Sequence, residues 1–303
     1  MHVSTRISLF IPKSKSFYVL DFVCFICYTL YQMFRLSNHD FRRVEKQELF
    51  SEGFKSALSK SRNILLYSEN LIALKAIRKN FKDTVKCVYL DPPYNSGLTF
   101  DYGKDSKTSR EWLNFMRKRL KIIHDLIAPN GFLFLQISSG ELHYVKVLLD
   151  KIFGRQNYRN SIIIKKDRHT HNTGQTIRQL DVAYHTILVY SKKPETLMPN
   201  MQYDENWLDL YANGHLTDFV HELNEDVVKR VLNWVTDLDD IVLDAFCGSG
   251  TTCAVAQKLG RRWIGIEQGT HCSSVCWPRI QAIAKEQGAE NSIVFFECVT
   301  KKG

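Results

Sequence analysis

The chain has 303 residues, 44% hydrophobic and 24% charged, which excludes a disordered or fibrous polypeptide and allows one large domain with at most a small appendage. A formal net charge of +9 serves either solubility alone or an anionic partner such as DNA, RNA or a membrane surface, and charge does not choose between them. The eight cysteines are scattered: Cys24 and Cys27 have C-x-x-C spacing but no second pair, so neither a metal-ligand set nor a disulfide framework is expected, and a reducing cytoplasm is.

The run from Phe17 to Phe34, FYVLDFVCFICYTLYQMF, is nearly all apolar and follows Lys13 and Lys15. It sits at the lower length limit for a membrane span and contains Asp21, which is costly in hydrocarbon. Residues 1–34 are therefore read as an extraneous or loosely packed apolar extension, with translation from Met33 a further reading and a membrane anchor disfavoured.

Mixed charge over Arg35–Arg62 predicts helix. NILLY (Asn63–Tyr67) is a strand, Asn70–Asn80 a helix, and VKCVYL (Val85–Leu90) a strand stopped by Pro92-Pro93. Leu98–Thr108 reads as a mobile loop. Trp112, Phe115, Met116, Leu120, Ile123 and Ile127 recur at three- and four-residue steps, predicting a helix over Ser109–Ile127 with Ser109 as N-cap. Pro129-Asn130-Gly131 is a turn, GFLFLQI (Gly131–Ile137) a buried strand, and Glu141–Phe153 a helix. Strands over Ser161–Ile164 and Ala183–Tyr190 bracket a basic stretch, KKDRHTHNTGQTIRQLD, from Lys165 to Asp181. Lys193–Asp226 reads as loop and Val227–Val235 as helix. DIVLDA (Asp240–Ala245) is a strand, a glycine turn and helix follow, and RWIGIE (Arg262–Glu267) is another strand. Alternating strands and helices predict an α/β fold with a parallel sheet, and the near-continuous apolar strands predict a sheet covered on both faces.

Two constellations carry chemistry. Asp244-Ala245-Phe246-Cys247-Gly248-Ser249-Gly250-Thr251-Thr252 follows an apolar strand and opens a helix. Its glycines permit a tight turn against a ligand, and the helix N-terminus offers free N–H groups. Glu267, ending the next strand, is placed to bind ribose hydroxyls. Asp91-Pro92-Pro93-Tyr94 ends a buried strand, at the sheet edge where open α/β sheets bind ligands. It presents a carboxylate, carbonyls without competing N–H donors, and an aromatic face. Acceptors suit an amino group, and a ring suits stacking on a flat base.

Together these motifs resemble the DNA amino-methyltransferases, whose catalytic loop is [D/N/S]PPY and whose cofactor loop is F-x-G-x-G-x-T. LDPPYNSG, SREWLNFMRKRL, GFLFLQIS, IFGRQNY, YHTILVYSKKP and DIVLDAFCGSGTT extend the likeness over Asn63–Ile283, especially to the modification subunits of type III restriction systems and related adenine methyltransferases. The catalytic loop precedes the cofactor loop, as in the circularly permuted β group. The resemblance implies a Rossmann-like class I methyltransferase sheet, mostly parallel with one antiparallel strand and helices on both faces. It implies one such domain over 35–303, with a short DNA-recognition insertion within about 165–226. S-adenosylmethionine is the implied cofactor, bound by Asp244, Phe246, Gly248, Ser249, Gly250, Thr251, Glu267 and Glu69. Asp91, Pro92, Pro93 and Tyr94 are the implied catalytic residues, with adenine N6 of a base flipped out of double-stranded DNA as target, since Asp rather than Ser stands first. Lys165, Lys166, Arg168 and Arg178 are read as phosphate contacts. Partners implied are DNA and a restriction subunit, a second methyltransferase subunit or a second copy of the chain. Cytosine N4, adenine in RNA, and a decayed enzyme that only binds DNA or a partner are the competing readings. The sequence departs from the family at Asn224-Glu225, where a Lys-Pro is usual, and at Ser68-Glu69-Asn70, where the family has GDN.

Overall fold

The computed structural model describes residues 41–45, 49, 51–97, 99–100, 103–104, 107–166, 183–199, 206–213, 223–289 and 292–299. Two units separate, Met1–Phe41 and Arg42–Gly303, and apart from Phe41 the described residues belong to the second. The apolar run before Met33, the Cys24 and Cys27 pair, and the basic stretch beyond Lys166 lie outside the described residues.

The chain runs β1 (Phe41–Glu45), α1 (Glu52–Lys60), β2 (Asn63–Tyr67), α2 (Asn70–Ile77) and β3 (Val85–Leu90), then a small hairpin of β4 (Thr99–Phe100) and β5 (Gly103–Lys104). Next come α3 (Ser109–Leu126), β6 (Ile127–Ile137), α4 (Ser139–Phe153), β7 (Tyr158–Lys165), β8 (Tyr184–Ser191) and β9 (Asn206–Tyr211). The last part holds α5 (Glu225–Val235), β10 (Ile241–Asp244), α6 (Thr251–Lys258), β11 (Arg262–Glu267), α7 (Trp277–Glu286) and β12 (Ile293–Val299).

Ten strands form one sheet in the order β1-β12-β2-β11-β10-β3-β6-β8-β7-β9. Pairing is parallel from β12 through β6, and β8 runs against both its neighbours, β6 and β7. The expected α/β sheet with one antiparallel strand is therefore present. Every residue of β10 is buried, and so are all of β3 except Lys86, which requires cover on both faces. That cover comes from two helix groups, α2–α3–α4 and α5–α6–α7. Each apolar side chain so buried contributes roughly 1.5–3 kcal/mol.

The adjacent strands β10 and β3 decide where a ligand can sit. From β10 the chain crosses through α6 to β11 on one side, and from β3 through α3 to β6 on the other. Diverging connections leave a crevice beyond the carboxyl ends of these two strands. Asp244 ends β10, and Asp91 follows β3.

Several boundaries differ from those the sequence predicts. Arg35–Arg62 is not one helix among its described residues: β1 precedes α1, and Arg43 Nε pairs with Glu297 on β12 at 2.8 Å. The loop over Leu98–Thr108 contains the β4–β5 hairpin. The N-cap of α3 is Thr108 rather than Ser109; its hydroxyl accepts from the Glu111 N–H, and the Glu111 carboxylate accepts in return, a full capping box. Pro129-Asn130-Gly131 is a bulge inside β6, where the register against β3 slips between Val85 and Cys87. A side chain at Gly131 would meet the backbone oxygens of Val85 and Lys86 at 2.8 and 2.9 Å, so only glycine fits. The stretch expected as loop from Lys193 holds β9, where Trp207 is buried and its neighbour Leu208 exposed. Among the described residues no helix is long and apolar enough to cross a membrane.

Candidate active site

The catalytic-type loop is built from its strand outward. β3 delivers Asp91 half-buried at its end, and Pro92-Pro93 turns the chain away. The Trp112 indole of α3 donates to the Pro93 carbonyl at 2.7 Å, clamping the loop to that helix. Asn95 takes φ +59°, and its side chain bonds to the backbone of Lys107 and to Glu141 Oε1. Ser109, displaced from the capping role, donates to the same Glu141 oxygen at 2.6 Å.

Asp91 meets Tyr94 directly: the phenol donates to Asp91 Oδ1 at 2.5 Å. Gln136 on β6 donates to the same phenol oxygen at 2.8 Å, and buried Tyr89 donates to Gln136 Oε1 at 2.7 Å. His185 on β8 lies edge-on to the Tyr94 ring, with centroids 5.1 Å apart. Burial pushes the Asp91 carboxyl up to about 7, against the opposing pull of the Tyr94 hydroxyl.

The glycine loop is braced just as closely. Asp244 Oδ1 accepts from Phe246 N at 2.9 Å, and burial pushes this carboxyl to about 7 as well. Glu267, at the end of β11, accepts from Gly248 N through Oε2 and from Gln268 N and Gly269 N through Oε1. Burial pushes its carboxyl up, but His271 and the backbone N–H groups bring it below the ordinary glutamate value. Gly248 and Gly250 have φ +52° and +84°, and a Cβ at Gly250 would lie 2.6 Å from Cys276 Sγ. Cys247 packs against that same thiol with the sulfurs 3.8 Å apart.

Both loops line one cavity of about 550 Å³. Its wall includes Asp91, Pro92, Pro93 and Tyr94 from one motif and Asp244, Phe246, Gly248, Ser249 and Thr251 from the other, with Glu267 beside them. The donor set suits S-adenosylmethionine: a backbone turn too tight for side chains, a helix N-terminus at Thr251, and an acid at the neighbouring strand end.

Other expected residues stand elsewhere. Glu69 caps α2, accepting from Leu71 N and Ile72 N, and pairs with Arg119; its neighbour Asn70 faces the cavity instead. Lys166 reaches the cavity wall, whereas Lys165 lies over the Tyr211 ring at 5.4 Å. Arg168 and Arg178 lie outside the described residues. Sequence reasoning missed Gln136, His185, Trp112, Arg119, His271 and Arg279. Arg279 spans from Glu225 at 2.7 Å to Thr251 Oγ1 at 3.1 Å, and Asn224 caps α5, so the departure from Lys-Pro has its own structural role.

The DNA methylase family N6_N4_Mtase matches residues 85–275, well over half of the chain, spanning both motif loops. The chain belongs to this family. A Haemophilus influenzae protein named "Probable type III restriction-modification enzyme HindVI Mod subunit" is 35% identical over 153 residues, covering 50% of this chain and 20% of that protein. The chain thus spans only a fifth of the length of that relative. Among solved structures, the complex of M1.HpyAVI with S-adenosylmethionine aligns with a TM-score of 0.54 at 21% identity, covering 71% of this chain and 99% of the other. The cytosine-N4-specific PvuII DNA methyltransferase aligns with a TM-score of 0.55 at 13% identity, covering 78% and 95%. At these identities the likeness to solved structures establishes the shared fold alone.

Proposed function

We propose that this chain transfers the methyl group of S-adenosylmethionine to the exocyclic N6 amine of an adenine flipped out of double-stranded DNA. The observation that carries the reading is that Asp91–Tyr94 and Phe246–Thr251, far apart in sequence, line a single cavity.

S-adenosylmethionine supplies an electrophilic methyl group on a sulfonium sulfur. The residues do the rest. An aromatic amine is a weak nucleophile because its lone pair is delocalised into the ring. Asp91 and the Pro92 carbonyl accept its N–H bonds, which favours rehybridisation and localises that pair; the Pro93 carbonyl is already taken by Trp112. As the N–C bond forms, the S–C pair stays on sulfur, and the amine gives up one proton. Asp91, with its carboxyl near 7, is suited to receive it. Tyr94 offers a face for stacking, and Lys166 with Lys165, Arg168 and Arg178 supplies positive charge for phosphates. Gly248–Thr251 and Glu267 hold the cofactor's methionine and ribose portions.

Asp at the first position of the loop favours adenine over cytosine N4. A restriction subunit is the partner suggested by the name of the Haemophilus relative, and the cytoplasm, where DNA is accessible, is the expected location. The test is transfer of tritiated methyl groups from labelled cofactor to DNA, followed by nucleoside analysis. N6-methyladenine is expected. N4-methylcytosine would overturn the choice of base, and no transfer to DNA or RNA despite retained DNA binding would favour a decayed enzyme.

A further inference from the structure

With Asp91 ionised, the hydrogen bonds around Tyr94 run in one direction. An ionised Asp91 carries no proton, so across the 2.5 Å contact the phenol must donate. The phenol oxygen therefore accepts from Gln136, which must present its NH2 to Tyr94 and its oxygen to the Tyr89 hydroxyl, as the 2.8 and 2.7 Å contacts require. The same NH2 faces His185 Nδ1 at 3.4 Å, which makes that nitrogen the acceptor of the ring and puts the imidazole proton on Nε2. His185 Nδ1 also lies 3.3 Å from the Tyr94 hydroxyl. The phenol proton thus has two acceptors within reach, Asp91 and His185, and occupies the nearer.

This arrangement bears on the proposed reaction. The Tyr94 hydroxyl holds Asp91 Oδ1, so an amine that bonds to that oxygen must share it with the phenol or displace it. A half-buried hydroxyl displaced from its acceptor needs another partner.

We propose that His185 is a positioning residue whose Nδ1 receives the Tyr94 hydroxyl as a target amine takes over Asp91, an inference that rests on the methyl-transfer reading. The exchange needs a neutral imidazole. Burial, with Lys166 nearby, brings the His185 pKa down to about 4, so its lone pair is available throughout the neutral range. The groups around the ring are consistent: Tyr94 and Gln136 at the nitrogen, Lys166 as the neighbouring charge, and Asp91 one bond away through the phenol. His185 is only 8% exposed, so water is a poor substitute acceptor.

The test is a double-mutant cycle of His185→Leu and Tyr94→Phe, with His185→Asn alongside, reading kcat for methyl transfer and cofactor affinity by calorimetry. His185→Leu should lower kcat about tenfold or more in the Tyr94 background, while cofactor affinity stays unchanged. In the Tyr94→Phe background, with no hydroxyl to receive, the same change should cost less than about twofold. His185→Asn, whose amide oxygen stands where Nδ1 stood, should stay within about threefold of wild type. If His185→Leu no longer binds cofactor, His185→Ala takes its place in the cycle. Equal losses in both backgrounds, or an Asn variant as impaired as the Leu variant, would overturn the proposal. Those outcomes arise in an active enzyme and leave the function reading standing. A wild-type chain without any methyl transfer removes both.

Discussion

At the scale of single residues, the site depends on a carboxylate held where water is scarce. Asp91 follows the buried strand β3, and burial raises its pKa to about 7 even though Tyr94 donates to it. A raised carboxyl pKa means the ionised, accepting form is lost as pH falls through that value. The rate constant kcat/KM for DNA, at saturating cofactor, should therefore fall about tenfold per pH unit below about 7. Asp244 has a similarly raised carboxyl, so the comparison with Asp91→Asn matters. The variant keeps an oxygen acceptor without the titration, and its residual activity should lose most of this acid limb. A limb unchanged in Asp91→Asn would assign the titration to Asp244 or to another group.

At the scale of elements, the glycine turn is the most constrained. Gly250 combines φ +84° with a Cβ position 2.6 Å from Cys276 Sγ, so Gly250→Val meets both backbone strain and a clash. It should abolish cofactor binding by calorimetry while circular dichroism still reports a folded chain; unchanged affinity would contradict the role given to this turn. This turn was legible because strand, glycines, helix and terminal acid lie close together in sequence. β2, β3 and β11 fall where their apolar runs begin and end. Other elements carried signals that competed with stronger ones. Thr108 and Glu111 spell a capping box, but Ser109 is an equally good cap by residue type. Pro-Asn-Gly marks a turn and a bulge alike, and only pairing against β3 decides between them. In β9, NWLDLY is short, lacks a regular alternation and buries only Trp207. Gln136, His185 and Arg119 were not legible, because each acts through a contact between elements far apart in sequence. Gln136 is one polar residue in the apolar run GFLFLQI, and its partners Tyr89 and Tyr94 come from another strand and its loop.

At the scale of the whole molecule, two crossovers leaving β10 and β3 in opposite directions bring a cofactor-type turn and a catalytic-type loop to one cavity. The circular order of the motifs does not matter to that geometry, since the sheet places both strand ends side by side. In the proposed reaction the two loops have separable roles, one holding cofactor and the other the target amine, and Asp91→Ala separates them. The change removes the acceptor for the target amine and leaves the glycine turn and Glu267 in place. With tritiated cofactor and DNA, transfer should fall by about 10²–10³, while S-adenosylmethionine affinity measured by calorimetry changes little. Transfer at the wild-type rate by a folded Asp91→Ala variant would rule out Asp91 as the acceptor of the target amine.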